Sequence, residues 1–141
     1  MLKVLIPIDG SESSDRAVAH LLRAMHSEGA MDIHLLNVQI PVTSGHVNMF
    51  VSKEEIEAYY REEAEQALQR ARAALDQAGV EYHHHILVGH AGETIAAFAK
   101  AQGFDKIIIG THGRSAVKSL LMGSVAQDVV RLSDIPVTLV K

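Results

Sequence analysis

The stretch Ile107–Val129, IIIGTHGRSAVKSLLMGSVAQDV, decides the fold. It opens as a buried strand, because Ile107, Ile108 and Ile109 form a short β-branched apolar run closed by a glycine. Gly110 and Gly113 bracket two residues, nine more lead to Gly123, and Ser124 follows. From there the pattern turns helical, with Val125, Val129 and Leu132 recurring on one face. Ser124 and Gln127 read as an S-x-x-Q capping box, which makes Ser124 the expected cap of that helix. A glycine-paired loop between a strand and a helix N-terminus suits an anion. Glycines let backbone N–H groups approach a phosphate closely, and the helix end adds unpaired donors and a favourable dipole.

Outward from this stretch, strand and helix patterns alternate strictly. Val4, Leu5, Ile6 and Ile8 read as a buried strand that ends at Asp9-Gly10-Ser11. Ala17, Val18, Leu21, Leu22 and Met25 form the stripe of a helix that Gly29 ends, and Ile33, Leu35, Leu36 and Val38 make a second strand. Residues 39–51 break the pattern with Pro41, Ser44 and Gly45; a loop of that length, beside Val38, is expected to serve either as a lid or partner surface or as a disordered connector. Ser52 and Glu55 form a capping box for a long helix with Ile56, Tyr60, Ala64, Ala67, Leu68, Ala71 and Leu75 inward. Its outer charges, Arg70 and Arg72 among them, read as a solvated surface. A third strand is expected from Val80 to Val88. A short helix with Ile95, Phe98 and Ala99 inward follows, and a last strand runs from Pro136 to Val140. Helical crossovers between strands predict one α/β domain over residues 1–141, a Rossmann-like five-stranded parallel sheet with helices on both faces. Ligands on such sheets sit outside the carboxyl ends of the strands, where Asp9, Val38, Gly89 and Gly110 lie.

Composition narrows the function. The net charge of −4, from 13 Lys+Arg against 17 Asp+Glu, argues against a general nucleic-acid partner, and 4% aromatic residues leave no base-stacking surface. No apolar run approaches a membrane span, so no membrane partner is expected. Cysteine is absent, which excludes disulfides and thiolate chemistry and agrees with a cytoplasmic protein. Met1 leads straight into the first strand, so no signal peptide is expected.

The full spacing Gly-x2-Gly-x9-Gly-Ser, set between a strand and a helix, resembles the signature of ATP-binding universal stress proteins. The resemblance spans essentially the whole chain. It implies strand order 3-2-1-4-5, so that Asp9 and Gly110 face each other across a crevice between the first and fourth strands. Carried over residue by residue, it implies ATP, with Mg or Mn, held by Pro7, Ile8, Asp9, Val38, Ile109, Gly110, His112, Gly113, Arg114, Gly123, Ser124 and Val125. Asp9 would accept from ribose hydroxyls or hold the metal; as a purely structural residue it would cap the first helix. Val38 matches a position whose backbone contacts adenine in the family. Arg114, Ser115 and Lys118, in the spacer, either reach a phosphate or are ordinary loop residues, and Ala126 stands where some family members carry a hydroxyl. The implied role is a nucleotide-dependent regulator or sensor in stress response. The last strand has apolar groups on both faces and would lie at the sheet edge, so a homodimer through residues 136–140 is expected. A slow ATP-hydrolysing enzyme and a non-nucleotide interaction module stand beside this reading.

Other chemistries fit poorly. Asp9-Gly10-Ser11-Glu12 is not a G-x-G-x-x-G turn, and no G-x-x-x-x-G-K-[ST] occurs. Where a receiver domain needs a phospho-accepting Asp, the third strand ends Leu87-Val88-Gly89-His90. No Ser-His-Asp or paired-carboxylate arrangement is readable, so no catalytic residue is assigned. His83-His84-His85 alternate between strand faces, cannot converge as three ligands, and read as a half-exposed strand start. His112, inside the glycine loop, is within reach of a phosphate.

Overall fold

A strand buried on both faces must feed two cores at once, and the first strand does so. The computed structural model describes residues 1–42, 51–113 and 122–141. In β1 (Leu2–Pro7), Val4 and Ile6 point into one core while Leu5 points into the other. The first core is closed by α1 (Glu12–Glu28), through Ala17, Val18 and Leu21, and by α2 (Lys53–Gln77), through Leu68, Ala71 and Leu75. The second lies under α3 (Ala91–Ala101) and α4 (Ser124–Leu132), whose Ile95, Ala99, Ala126 and Val129 cover Leu5, Leu36, Ile107 and Ile109. With β2 (Met31–Gln39), β3 (His83–Val88), β4 (Lys106–Gly110) and β5 (Val137–Val140), the sheet is parallel throughout in the order β3-β2-β1-β4-β5. This is the order that the resemblance implied.

Helix ends are set by short-range chemistry. Ser52 accepts from the Glu55 N–H, as its capping box requires. At the far end of α2, Gly79 has φ +68 and donates to Asp76 O, while the Val80 N–H donates to Leu75 O at 3.0 Å. This Schellman closure commits the Val80 N–H to the helix, so β3 starts at His83 rather than Val80. The same motif at Gly103 brings the Phe104 N–H to Ala99 O and turns the Phe104 ring inward. Two other expectations are corrected. Gly123, not Ser124, is the N-cap of α4, because the Gly123 carbonyl accepts the first helical bond from the Gln127 N–H. The Gln127 side chain reaches Met122 O instead of closing a box. Arg70 lies on the exposed face, as expected, and also makes contacts there. Its Nη2 donates to Gly10 O at 2.7 Å and pairs with Asp15 at 3.0 Å, tying α2 to the β1–α1 turn.

The sheet opens where β1 and β4 part. β1 stays in register with β2 as far as Pro7 opposite Leu36, but pairs with β4 only at Val4–Lys106 and Leu5–Ile107. Successive strand N–H groups point to alternate sides, and the Ile8 N–H donates to Leu36 O of β2. The nitrogen of Pro7 therefore faces β4, and proline has no hydrogen to give. Beyond it the two strand ends diverge and leave a crevice at the switch in strand order. On the outer side of β4, β5 is the edge strand among the described residues, with Leu139 41% exposed.

Candidate functional site

The crevice is floored by the ends of three strands. Pro7, Ile8 and Asp9 line it from β1, Leu36 and Val38 from β2, and Ile109 and Gly110 from β4. Thr111, His112 and Gly113 form one wall, and Val125 and Ala126 bring the first turn of α4 against it. About 520 Å³ of empty space lies within, part of it open to solvent. Ile8 and Asn37 fix the floor. The Asn37 Nδ2 donates to Ile8 O at 2.8 Å and the Gln39 side chain in turn donates to Asn37 Oδ1 at 2.7 Å.

Asp9 is positioned by the turn that follows it. Its Oδ1 accepts from the Ser11 N–H at 2.9 Å and from the Ser14 hydroxyl at 2.8 Å, while its own N–H donates to Ser14 Oγ at 3.0 Å. Ser11, not Asp9, caps α1 by accepting from the Ser14 N–H. Gly10 between them has φ +83, and a Cβ there would stand 3.2 Å from the Ala67 Cα, so both backbone and packing call for glycine. The other oxygen, Oδ2, looks across to the glycine loop, 2.8 Å from where a Gly113 Cβ would be.

The loop glycines have separate reasons. Neither Gly110, Gly113 nor Gly123 has a positive φ, so none of them answers a backbone strain. A Cβ on Gly110 would strike the Ser13 side chain and come within 2.6 Å of the Ser13 carbonyl oxygen, so this glycine lets β4 meet the first turn of α1. Gly123 lies 3.3 to 3.5 Å, measured from an added Cβ, from the backbone of Thr111, His112 and Gly113. It closes the two ends of the loop on each other, and its N–H donates to Thr111 O. Gly113 alone faces Asp9. The N-cap of α4 is Gly123, which has no side chain to accept from the first-turn N–H groups beside the crevice.

Of the residues carried over from the motif, the crevice brings together Pro7, Ile8, Asp9, Val38, Ile109, Gly110, His112, Gly113 and Val125. Gly123 and Ser124 adjoin it without lining it; Gly123 is buried against the loop backbone and Ser124 is exposed at the start of α4. Arg114, Ser115 and Lys118 lie outside the described residues, as does most of the loop 39–51. Its near end is held, since the Val42 N–H donates to the Tyr60 hydroxyl oxygen at 2.7 Å. Sequence reasoning missed Ser13, Ser14 and Thr111, all buried. Ser13 Oγ accepts from the His112 N–H at 3.2 Å and so fastens the loop to α1. The available signal was the run Ser11-Glu12-Ser13-Ser14, which places hydroxyls where a helix would ordinarily present apolar groups to a sheet.

Comparison with known proteins agrees with this architecture. The profile of the universal stress protein family matches residues 1–141. Universal stress protein MJ0577 of Methanocaldococcus jannaschii is 29% identical over 152 residues, covering 99% of this chain and 94% of its own. MJ0531 of the same organism is 30% identical over 141 residues, covering 99% and 81%. The solved structure of MJ0577 matches with a TM-score of 0.83 and 32% identity over 99% of this chain and 95% of that one. The universal stress protein from Archaeoglobus fulgidus in complex with dAMP matches at TM-score 0.69 over 100% and 98%; at 22% identity this likeness is one of fold.

Proposed function

We propose, from the premise that this chain belongs to the universal stress protein family, that its crevice binds an adenine nucleotide, ATP foremost, and that the bound nucleotide makes the protein a regulator or sensor in stress response. The observation that carries this reading is the meeting of Asp9 with the Gly110–Gly113 loop across the β1/β4 opening, beside the glycine-capped N-terminus of α4. Backbone donors at close range and a helix end suit phosphate. The apolar strand ends Ile8, Val38 and Ile109 suit a purine face. The dAMP carried by the Archaeoglobus protein of the same fold supports the choice of an adenine nucleotide.

Asp9 is the one carboxylate among the described residues that line the crevice. Mg²⁺ and Mn²⁺ favour oxygen ligands, and Mg²⁺ commonly takes one or two carboxylates with phosphate oxygens completing the shell. The donor set therefore fits: Asp9 would hold the ion beside the phosphates, where the ion would neutralise charge. The protein would act in the cytoplasm as a homodimer joined through β5. Chemical analysis of what purified protein releases on denaturation, followed by calorimetric titration with ATP, tests the reading. Released adenine nucleotide and saturable ATP binding are expected. Absence of both, with no thermal shift on adding ATP, would leave a non-nucleotide interaction module.

A further inference from the structure

At the opposite end of the sheet from the crevice, four polar side chains gather on one face of β2 and β3. The register sets His34 beside His83 and Leu36 beside His85, so that Asp32, His34, His83 and His85 all project to the α3 side. His34 Nε2 lies 3.0 Å from Asp32 Oδ1, and His83 Nε2 lies 3.9 Å from the same oxygen. One ligand atom from each of Asp32, His34 and His83 falls within 4.8 Å of the others. The His34 ring stacks on His83, with centroids 4.6 Å apart, and its Nδ1 is 2.8 Å from His85 Nε2. Phe104 and Phe98 pack against His34 and His85 and shield the inner side of the group.

We infer that Asp32, His34 and His83 form a binding site for a divalent transition-metal ion of the zinc class, with His85 as the positioning residue behind His34. Two imidazoles and a carboxylate are a ligand set that zinc takes, at bond lengths of about 2.0–2.2 Å, which places tetrahedral ligand atoms about 3.3–3.5 Å apart. The pair at 3.0 Å and the pair at 3.9 Å bracket that separation. Closing the wider gap falls to His83, whose side chain is 67% exposed and can turn toward Asp32. The opening to solvent at Asp32 and His83 supplies a water as fourth ligand. On binding, Nε2 of His34 gives up its hydrogen bond to Asp32 and coordinates the ion. Its proton then resides on Nδ1, which donates to His85 Nε2; a second hydrogen bond of this kind is what orients metal-bound histidines. Opposing charges are Lys3, whose Nζ sits 4.6 Å from the Phe104 centroid and donates to Gln102 O, and Arg72, which borders the same hollow as Asp32 and His83. The Asp32 carboxylate offsets them in part.

The test uses tag-free, nucleotide-free full-length protein and Zn²⁺ in competition with a chromophoric chelator. One equivalent of Zn²⁺ is expected to bind. His83→Ala and Asp32→Asn, both at solvent-facing positions, should each weaken binding by at least tenfold, and His85→Ala by about tenfold through the second hydrogen bond. His84→Ala, on the other face of β3, should leave it unchanged. Co²⁺ in place of Zn²⁺ should give the visible absorption of a tetrahedral site in the wild type and lose it in His83→Ala. Folded His83→Ala and Asp32→Asn proteins that hold Zn²⁺ as the wild type does would overturn the assignment. So would an equal loss in His84→Ala.

Discussion

Replacing Gly113 by alanine should separate ligand binding from folding. The backbone there has no positive φ, so alanine meets no conformational penalty. Its Cβ would stand 2.8 Å from Asp9 Oδ2, inside the 3.4 Å at which ordinary contact begins, so the carboxylate must withdraw by about half an ångström or more. Oδ1 is tethered to the Ser11 N–H and the Ser14 hydroxyl, and a swing of that size loosens at least one tether. A hydrogen bond to a charged group contributes about 1.5–3 kcal/mol when buried. Asp9 is half-buried and water can replace the partner, so the expected cost is about 1 kcal/mol, or a Tm lower by roughly 3–4 °C for a chain of this length. Binding suffers twice, because the methyl fills space between loop and carboxylate and Asp9 is displaced. ATP affinity should fall at least tenfold, about 1.4 kcal/mol. Gly110→Ala should behave in the opposite way. Its Cβ meets the Ser13 carbonyl oxygen at 2.6 Å and carbonyl carbon at 2.8 Å, helix backbone that cannot yield locally, so stability should drop by about 1–3 kcal/mol. Denaturant titration and ATP calorimetry on both variants decide the matter. A cooperatively folded Gly113→Ala protein with wild-type ATP affinity would refute the reasoning.

Ser13→Ala removes the acceptor that Ser13 Oγ offers the His112 N–H, and should cost about 1 kcal/mol in denaturant titration; an unchanged midpoint would show that the contact carries nothing. Light scattering should find the dimer proposed through β5 in the wild type and a monomer in Leu139→Lys, on the exposed edge strand; a variant that remains dimeric places the interface elsewhere. ATP turnover should stay well below about 1 s⁻¹, because Asp9, the one carboxylate among the described crevice residues, is tied to Ser11 and Ser14 and is poorly placed to orient water. Rapid steady-state phosphate release from pure protein would contradict this. In the metal-free protein, burial above all, with His83 and Lys3 adding to it and Asp32 opposing, holds the His34 imidazole below its ordinary 6.5. Burial, followed by His34, His83, His84 and Lys3, does the same to His85. The unfolded chain then binds protons first, so their stabilisation is complete above pH 6.5 and is lost as pH falls through the folded values. Tm should decline from about pH 6.5 towards pH 5 in chelator-treated protein, and less steeply in a His34→Gln, His85→Gln double variant; equal slopes would contradict the account.

The alternation of elements was legible because a central parallel strand, buried on both faces, must be a continuous apolar run, and Val4–Ile6 and Ile107–Ile109 are such runs. The crevice was legible in its frame for a similar reason: Asp9, Val38 and Gly110 sit at strand ends that topology alone brings together. What escaped were choices made between competing hydrogen bonds. Val80 has the β-branched side chain of a strand residue, yet its N–H closes the helix before it. Ser124 has the side chain of a cap, yet the Gly123 carbonyl takes the first helical bond. Gly113 and Gly123 fit one motif, yet one leaves room beside a carboxylate and the other lets two backbone segments touch. Local propensity scores each residue by itself, whereas these outcomes depend on which partner arrives from elsewhere in the chain.

The histidines show the same limit most sharply. Along β3 alone, His83 and His85 share a face with His84 opposite, and two side chains on one strand do not make a site. Parallel pairing changes the arithmetic. Once β2 is set so that His34 lies against His83, Asp32 and His34 supply the missing ligands on the same face, two residues apart on a neighbouring strand. Nothing in the spacing of either strand specifies that register. It is fixed by the apolar residues around the polar ones, with Ile33 and Leu35 committed to one core and Leu36 to the other. A one-residue slip would send His34 into the first core and take Leu35 out of it, so the packing that makes the sheet also gathers the ligands. The crevice proposed for nucleotide arises at the carboxyl ends because Pro7 ends a ladder; the proposed metal site arises near the amino ends because that ladder's neighbour holds its register. Metal binding should therefore be insensitive to Gly113→Ala and lost with His83→Ala, and nucleotide binding should show the reverse.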